Sequence, residues 1–346
     1  MKYTFLILIL LVFLVACQKE PAKPIKDPYY QINEPHTHIL EGYFVEDIIF
    51  DQNGVTWINT FFEDVIKYKS GIIEIFNSNN SPISGEIWDI QTDSKGNLWI
   101  GCSDGLIKYD GETFTRFDTS NSPIPEDVIW SIAIDDNDVV WFSSSRANKG
   151  GLVKYDGTNW AVYTPENSDL PGNHITSVVF DKNKDLWLLV EDHGYYFTKI
   201  SGDNWMIYDE EDIGFPIIFE NGELCFNSKN ELYSAPNYKL VEWEIPNPVL
   251  FLLEYNGIQF DSINVTVPCE YEYPNTCPLP HGHIYIDFED NVWIGLSDKT
   301  YGVYNGKNWS FSQNQLVGNV MTFAQPNSSE IWIGTEDGIY IAGTEQ

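Results

Sequence analysis

The chain has 346 residues, 51 Asp and Glu against 19 Lys and Arg for a formal net charge of −32, and 15% aromatic residues. Acidity on this scale excludes a nucleic-acid binder, which needs clustered Lys and Arg, and the aromatic content excludes a disordered chain. What remains is a solvated exported-type domain with a large packed β core and a neutral or basic partner.

In chain order, Lys2 precedes a twelve-residue apolar run over 5–16. That is too short to span a bilayer and has the form of a signal-peptide core. It ends in Leu14-Val15-Ala16-Cys17, which resembles the lipobox of bacterial lipoproteins. The resemblance implies removal of residues 1–16 and acylation of the Cys17 thiol, palmitate included; several chains on one residue anchor stably where one does not. Gln18 after that cysteine, rather than Asp, implies the outer membrane, on its periplasmic or surface face. A plain secretory signal with a chance cysteine is the alternative. Residues 17–35 carry Pro21, Pro24, Pro28 and Pro35 and read as a lipidated, semi-extended tether.

From residue 36 onward, periodicity governs. Trp57, Trp99, Trp141, Trp187, Trp293 and Trp332 stand at spacings of 42, 42, 46, 106 and 39 residues, and Tyr233 divides the long gap into 46 and 60. Seven copies result. The third shows four strand-like runs, 129–135, 139–144, 152–156 and 160–164, separated by Asp-Asn and Asp-Gly turns. Four short strands per unit of about 40–45 residues, with no helical period, predict an all-β fold. It is a seven-bladed β-propeller of four-stranded antiparallel blades over 36–346, with an irregular fifth blade and an insertion at about 236–280. The last copy supplies three strands, so residues 37–43 are expected to close the ring as its fourth.

Cys102 and Cys225 lie in apolar runs and read as core residues, whereas Cys269 and Cys277, outside the repeat, are candidates for a local disulfide in an oxidising envelope. Asp51, Asp93, Asp135, Asp181 and Asp287 each stand six residues before a repeat tryptophan. Tight-turn capping explains that recurrence better than calcium loops do. The pairs His36/His38 and His281/His283 have the i, i+2 spacing of a metal half-site, but no third ligand cluster accompanies them. No metal and no cofactor is expected.

The run 93–111, with Asn97-Leu98-Trp99-Ile100-Gly101 and Gly105-Leu106-Ile107-Lys108-Tyr109-Asp110-Gly111, resembles the two-component regulator propeller repeat, and 117–125 and 163–171 continue it. The resemblance implies a propeller and a periplasmic ligand-sensing role, often fused to a histidine kinase. Here the expectation is the propeller as a lipoprotein without the kinase part, monomeric, with a glycan, a small polar ligand or an envelope protein as partner.

Function is expected where the copies differ. In a propeller the loops between second and third strands share one face with the starts of the inner strands. Trp88 and Trp130 enter that face where other copies hold Glu46, Thr176, Gly282 and Met321. The candidate ligand-binding residues are these two tryptophans with Asp104, Arg146, Asn148, Lys149, His193 and Asp337, the two cations and Asn148 on a long loop at 143–151. Aromatic platforms beside charged groups suit a sugar or another polar cyclic ligand. One alternative is a polysaccharide or small-molecule lyase or hydrolase using His193 with Glu191 or Asp192, since streptogramin-lyase-like enzymes share related propellers; no catalytic motif occurs. The other is a protein scaffold in the envelope.

Overall fold

The computed structural model describes residues 37–61, 63–146, 149–214, 222–238, 250–265, 280–296, 299–312 and 316–343. Cys17, the tether, His36, Asn148, Cys269 and Cys277 lie outside the described residues. Seven four-stranded antiparallel sheets form the blades of a propeller. The inner strands are Val45–Phe50, Ile87–Thr92, Ile132–Ile134, His174–Phe180, Leu224–Phe226, Pro280–Ile286 and Val320–Asn327, here numbered as blades 1 to 7. Blade 5 is completed by Leu250–Tyr255 and Phe260–Val265. No helix among the described residues is long and apolar enough to cross a membrane.

The expected closure is present. Thr37–Ile39 pairs antiparallel with Gly338–Gly343, as the outermost strand of blade 7. His38 stacks on Tyr340 at 4.3 Å, and its Nε2–H donates to the Asp337 carbonyl at 2.6 Å. Gly338 is required there: its φ is +100°, and a Cβ would fall 2.6 Å from the Ile39 carbonyl oxygen.

Each seam between blades is filled by one apolar cluster. Trp57 and Phe76 of blade 1 meet Ile90 and Tyr109 of blade 2, and so on round to Ile48 and Ile58 of blade 1 against Trp332 and Ile339 of blade 7. A blade alone would leave both faces in water, so stacking and ring closure are one energetic event, with roughly 1.5–3 kcal/mol for each large side chain fully buried. The repeat tryptophans sit in these seams, Trp187 and Trp293 with 1% and 0% of their surface exposed. In blades 1 to 4 the cross-strand partner of the tryptophan is a lysine whose ammonium lies over the indole, at 4.8–5.6 Å from its centre.

In blade 3 the sequence pattern misplaced one boundary. Residues 143–151, expected as a long loop, are mostly strand: Val140–Arg146 pairs with Lys149–Tyr155, and Arg146 faces Lys149 across the hairpin tip. The serine run is compatible with pairing because the hydroxyls of Ser143 and Ser144 find partners on the neighbouring segment. Ser144 Oγ takes the amide of Glu126 at 3.0 Å, and Ser143 Oγ takes those of Trp130 and Ser131.

Candidate functional site

Each inner strand has two ends with different chemistry. At the end remote from the mouth stands the repeated aspartate. Asp93 accepts the amides of Lys95 and Asn97 at 3.0 and 2.9 Å and the Trp99 indole N–H at 3.1 Å. Asp181 and Asp287 repeat the amide and indole bonds. Asn227 makes the same two amide bonds in blade 5, where Tyr233 stands for the tryptophan. These carboxylates are turn caps, their oxygens filled by protein donors.

The mouth end is organised by a position ten residues before each repeat aromatic. It holds Asp47, Asp89, Ser131, Ser177, Glu223, His283 and Thr322. In five blades the strand pairing slips by a bulge beside this position, between Val45/Asp47, Ile87/Asp89, Ile175/Ser177, His281/Ile284 and Val320/Thr322. A bulge leaves main-chain amides out of the ladder, and in blades 4 and 6 the preceding blade's side chain takes one; the same bond reaches the first residue of the unbulged inner strands of blades 3 and 5. Asp89 Oδ2 accepts from Ile132 at 2.7 Å, Ser131 Oγ from Val178 at 3.0 Å, Ser177 Oγ from Leu224 at 3.2 Å, and Glu223 Oε2 from Ile284 at 3.1 Å. These bonds stitch consecutive inner strands around the axis.

Four of the seven are ionisable, and they influence one another across the axis, which places them around one central channel. His283 Nδ1 lies 3.0 Å from Glu223 Oε1. The two side chains keep 36% and 37% of their surface. Burial pulls the proton affinity of His283 down, but Glu223, Asp47 and Asp89 outweigh that and lift it to about 10. Burial, then Asp47, pushes Asp89 up to about 7 against the Ile132 amide. Burial also raises Asp47. One residue nearer the mouth, burial lifts Glu46 to about 7, with Glu86 and Asp47 adding to it and His283 opposing.

Trp88 and Trp130 stand at that outer position. Their rings are in contact, centres 4.3 Å apart and planes at 40°, so they form one aromatic wall rather than two platforms. Trp130 Nε1 donates to the Ser145 carbonyl at 2.9 Å, pinning the wall to the hairpin that carries Arg146 and Lys149, both exposed at its tip. Asp104 accepts from Ser84 at 2.8 Å, and the adjacent Ser103 amide bonds the Glu86 carbonyl, two residues from Trp88. These five therefore occupy one sector, over blades 2 and 3. Two others lie elsewhere. Asp337 caps the Gly42 amide at 2.9 Å, in the closure. His193 is 95% exposed and 3.7 Å from Asp192, while Glu191 turns to His174, Nδ1 to Oε2 3.2 Å, so no His193–Glu191 pair is assembled.

Sequence reasoning missed three contributors. His174 packs edge-on against Trp130 at 5.5 Å, extending the wall into blade 4; only its strand pairing with Glu191 brings it there. Asn59, 1% exposed, places its amide nitrogen 3.5 Å from Glu46 and 3.3 Å from the Ile87 carbonyl. Ser145 is fully buried behind Trp130. Six buried side-chain polar atoms among the described residues lack a hydrogen-bond partner, and three of them belong to this wall and its neighbours: Asn59 Oδ1, Trp88 Nε1 and Ser145 Oγ. Unmet groups of this kind are uncommon and costly inside a protein.

Fold and site together define a seven-bladed propeller with an acidic channel and an aromatic wall at its mouth. Residues 81–104 match the family described as two component regulator propeller, so the resemblance seen in the repeat holds. No curated protein matches the sequence. Among solved structures, the chain is similar to a streptogramin B lyase, with 13% identity, a TM-score of 0.66, and 90% of this chain and 97% of that one covered. It is similar to the extracellular domain of a putative hybrid two component system from B. thetaiotaomicron, with 14% identity, a TM-score of 0.66, and 90% and 40% covered. This chain thus spans about 40% of that domain's length. It is also similar to YCF48 bound to D1 peptide, with 10% identity, a TM-score of 0.62, and 94% and 98% covered. At such identities the likeness is one of fold.

Proposed function

We propose that this chain is a sensor-like recognition module of the cell envelope, exposed to the periplasm or the exterior and anchored to the outer membrane through acylated Cys17, with its ligand seated at the propeller mouth on the Trp88–Trp130 wall. The observation that carries this reading is the unmet hydrogen-bonding capacity gathered there. Asn59 Oδ1, Trp88 Nε1 and Ser145 Oγ are buried and unpartnered beside a large aromatic surface, which is the composition of a ligand pocket: mostly apolar, with a few placed polar groups. The likeness to extracellular sensor propellers agrees with it.

The test is intrinsic tryptophan fluorescence of the purified domain titrated with a panel of glycans and peptides. A saturable change is expected for at least one class, and it should disappear in Trp130→Ala while the melting profile is kept. A response that survives Trp130→Ala unchanged would place the site elsewhere.

A further inference from the structure

We infer that the mouth selects an organic cation, an ammonium group with a neighbouring hydroxyl, recognised by Glu46, Asn59 and the Trp88–Trp130 wall. This rests on the mouth being the ligand site and specifies the ligand's charge.

The first argument is the sign of the field. Glu46, Glu86, Asp47, Asp89 and Glu223 all act on this region, with His283 as the cation among them. His174 is engaged by Glu191. Arg146 and Lys149 stand at an exposed hairpin tip on the rim rather than in the channel. A charged group entering along the axis therefore meets an excess of carboxylate in a setting shielded from bulk water, where such attraction is strongest.

The second argument is independent of charge. Asn59 is buried, and its carbonyl oxygen has no donor, although its amide end touches the Glu46 carboxylate. An acceptor left open beside a carboxylate fits a ligand bearing several N–H donors on one atom, as an ammonium does. Tryptophan faces attract cations through the ring quadrupole, more so when the cation is desolvated. Trp88 Nε1–H is a buried donor without an acceptor; a hydroxyl next to the ammonium supplies one. Burial lifts Glu46 and Asp89 to about 7, and a cation seated beside them would draw both toward the charged form.

The experiment is a calorimetric titration of the native chain at pH 7 with two matched pairs, ethanolamine against propan-1-ol and glucosamine against N-acetylglucosamine. Each pair keeps the shape or the ring and removes the charge. At least one charged member should bind ten-fold or more tightly than its neutral partner, and Glu46→Gln should abolish that preference while melting as a folded domain. Ethanolamine alone, glucosamine alone, or both, would identify a non-sugar ammonium, an amino sugar, or the shared group as what is read. Neutral and charged members binding equally, with loss in Trp130→Ala, would overturn the cation and leave the mouth as the site. Charged members binding equally well to Trp130→Ala, or no heat from either pair, would overturn the inference.

Discussion

The two ends of the inner strands are built by opposite rules. At the far end, the same aspartate makes the same amide and indole bonds in blade after blade, Asp93, Asp181 and Asp287 alike. Four residues earlier, at the mouth end, no such uniformity exists. Two aspartates, two serines, a glutamate, a histidine and a threonine occupy one structural position. Where a side chain supports the blade, most copies keep the same one, with Asn227 in its place in blade 5 and Glu330 bonding the indole in blade 7. Where seven side chains converge on one axis, identical residues would be a ring of like charges, and the copies are free to diverge into a site.

The largest expected effect lies at the uniform end. Trp293 is fully buried, with its indole bonded to Asp287 at 2.8 Å. Trp293→Ala should cost about 3–5 kcal/mol, read by urea unfolding. Asp287→Ala leaves the indole and two amides unpaired and should cost about 1–3 kcal/mol. If either substitution left the midpoint unchanged, the uniform end would not be the support described here.

A smaller effect, of different form, belongs to the mouth. Glu46 and Asp89 ionise near 7 when folded and near 4.5 and 3.8 when unfolded. Between those values the folded chain holds more protons, so stability falls as pH rises. His283 keeps its proton to about 10 instead of 6.5, so its contribution is complete below 6.5 and fades as pH climbs toward 10. The melting temperature should therefore decline from pH 5 to pH 9. Asp89→Asn, which retains an acceptor for the Ile132 amide, should flatten the lower part of that decline. A flat profile for the native chain would contradict the channel electrostatics. Smallest of all, Arg146→Ala should change stability by no more than about 0.5 kcal/mol, because the side chain is exposed at a hairpin tip.

The ring was legible in the sequence because tryptophan spacing and four strand-like runs per copy leave few other folds, and the closing strand followed from a count of three in the last copy. The mouth was legible only in part. Trp88 and Trp130 stand out as aromatics where other copies have none. Asp47, Asp89, Glu223 and His283 are adjacent in register to that same position, yet seven different residues make no visible motif until the blades are superposed by their aromatics. The bulges compound this, since they break the alternation by which a strand's two faces are read. His174 and Asn59 come to the mouth through pairing across strands and contact between blades, which spacing along the chain does not encode. Asp337 looked equivalent to the other loop aspartates, but the closing strand lies over it and engages it through Gly42.

The central claim, that the mouth is shaped for a ligand and not for stability, is tested most directly by the melting temperature of Glu46→Gln at pH 8. The native carboxylate is ionised there in a site that disfavours the charge. The neutral amide should raise the melting temperature by about 2 °C or more. A drop of that size would mean that Glu46 holds the blades together, and would contradict the account.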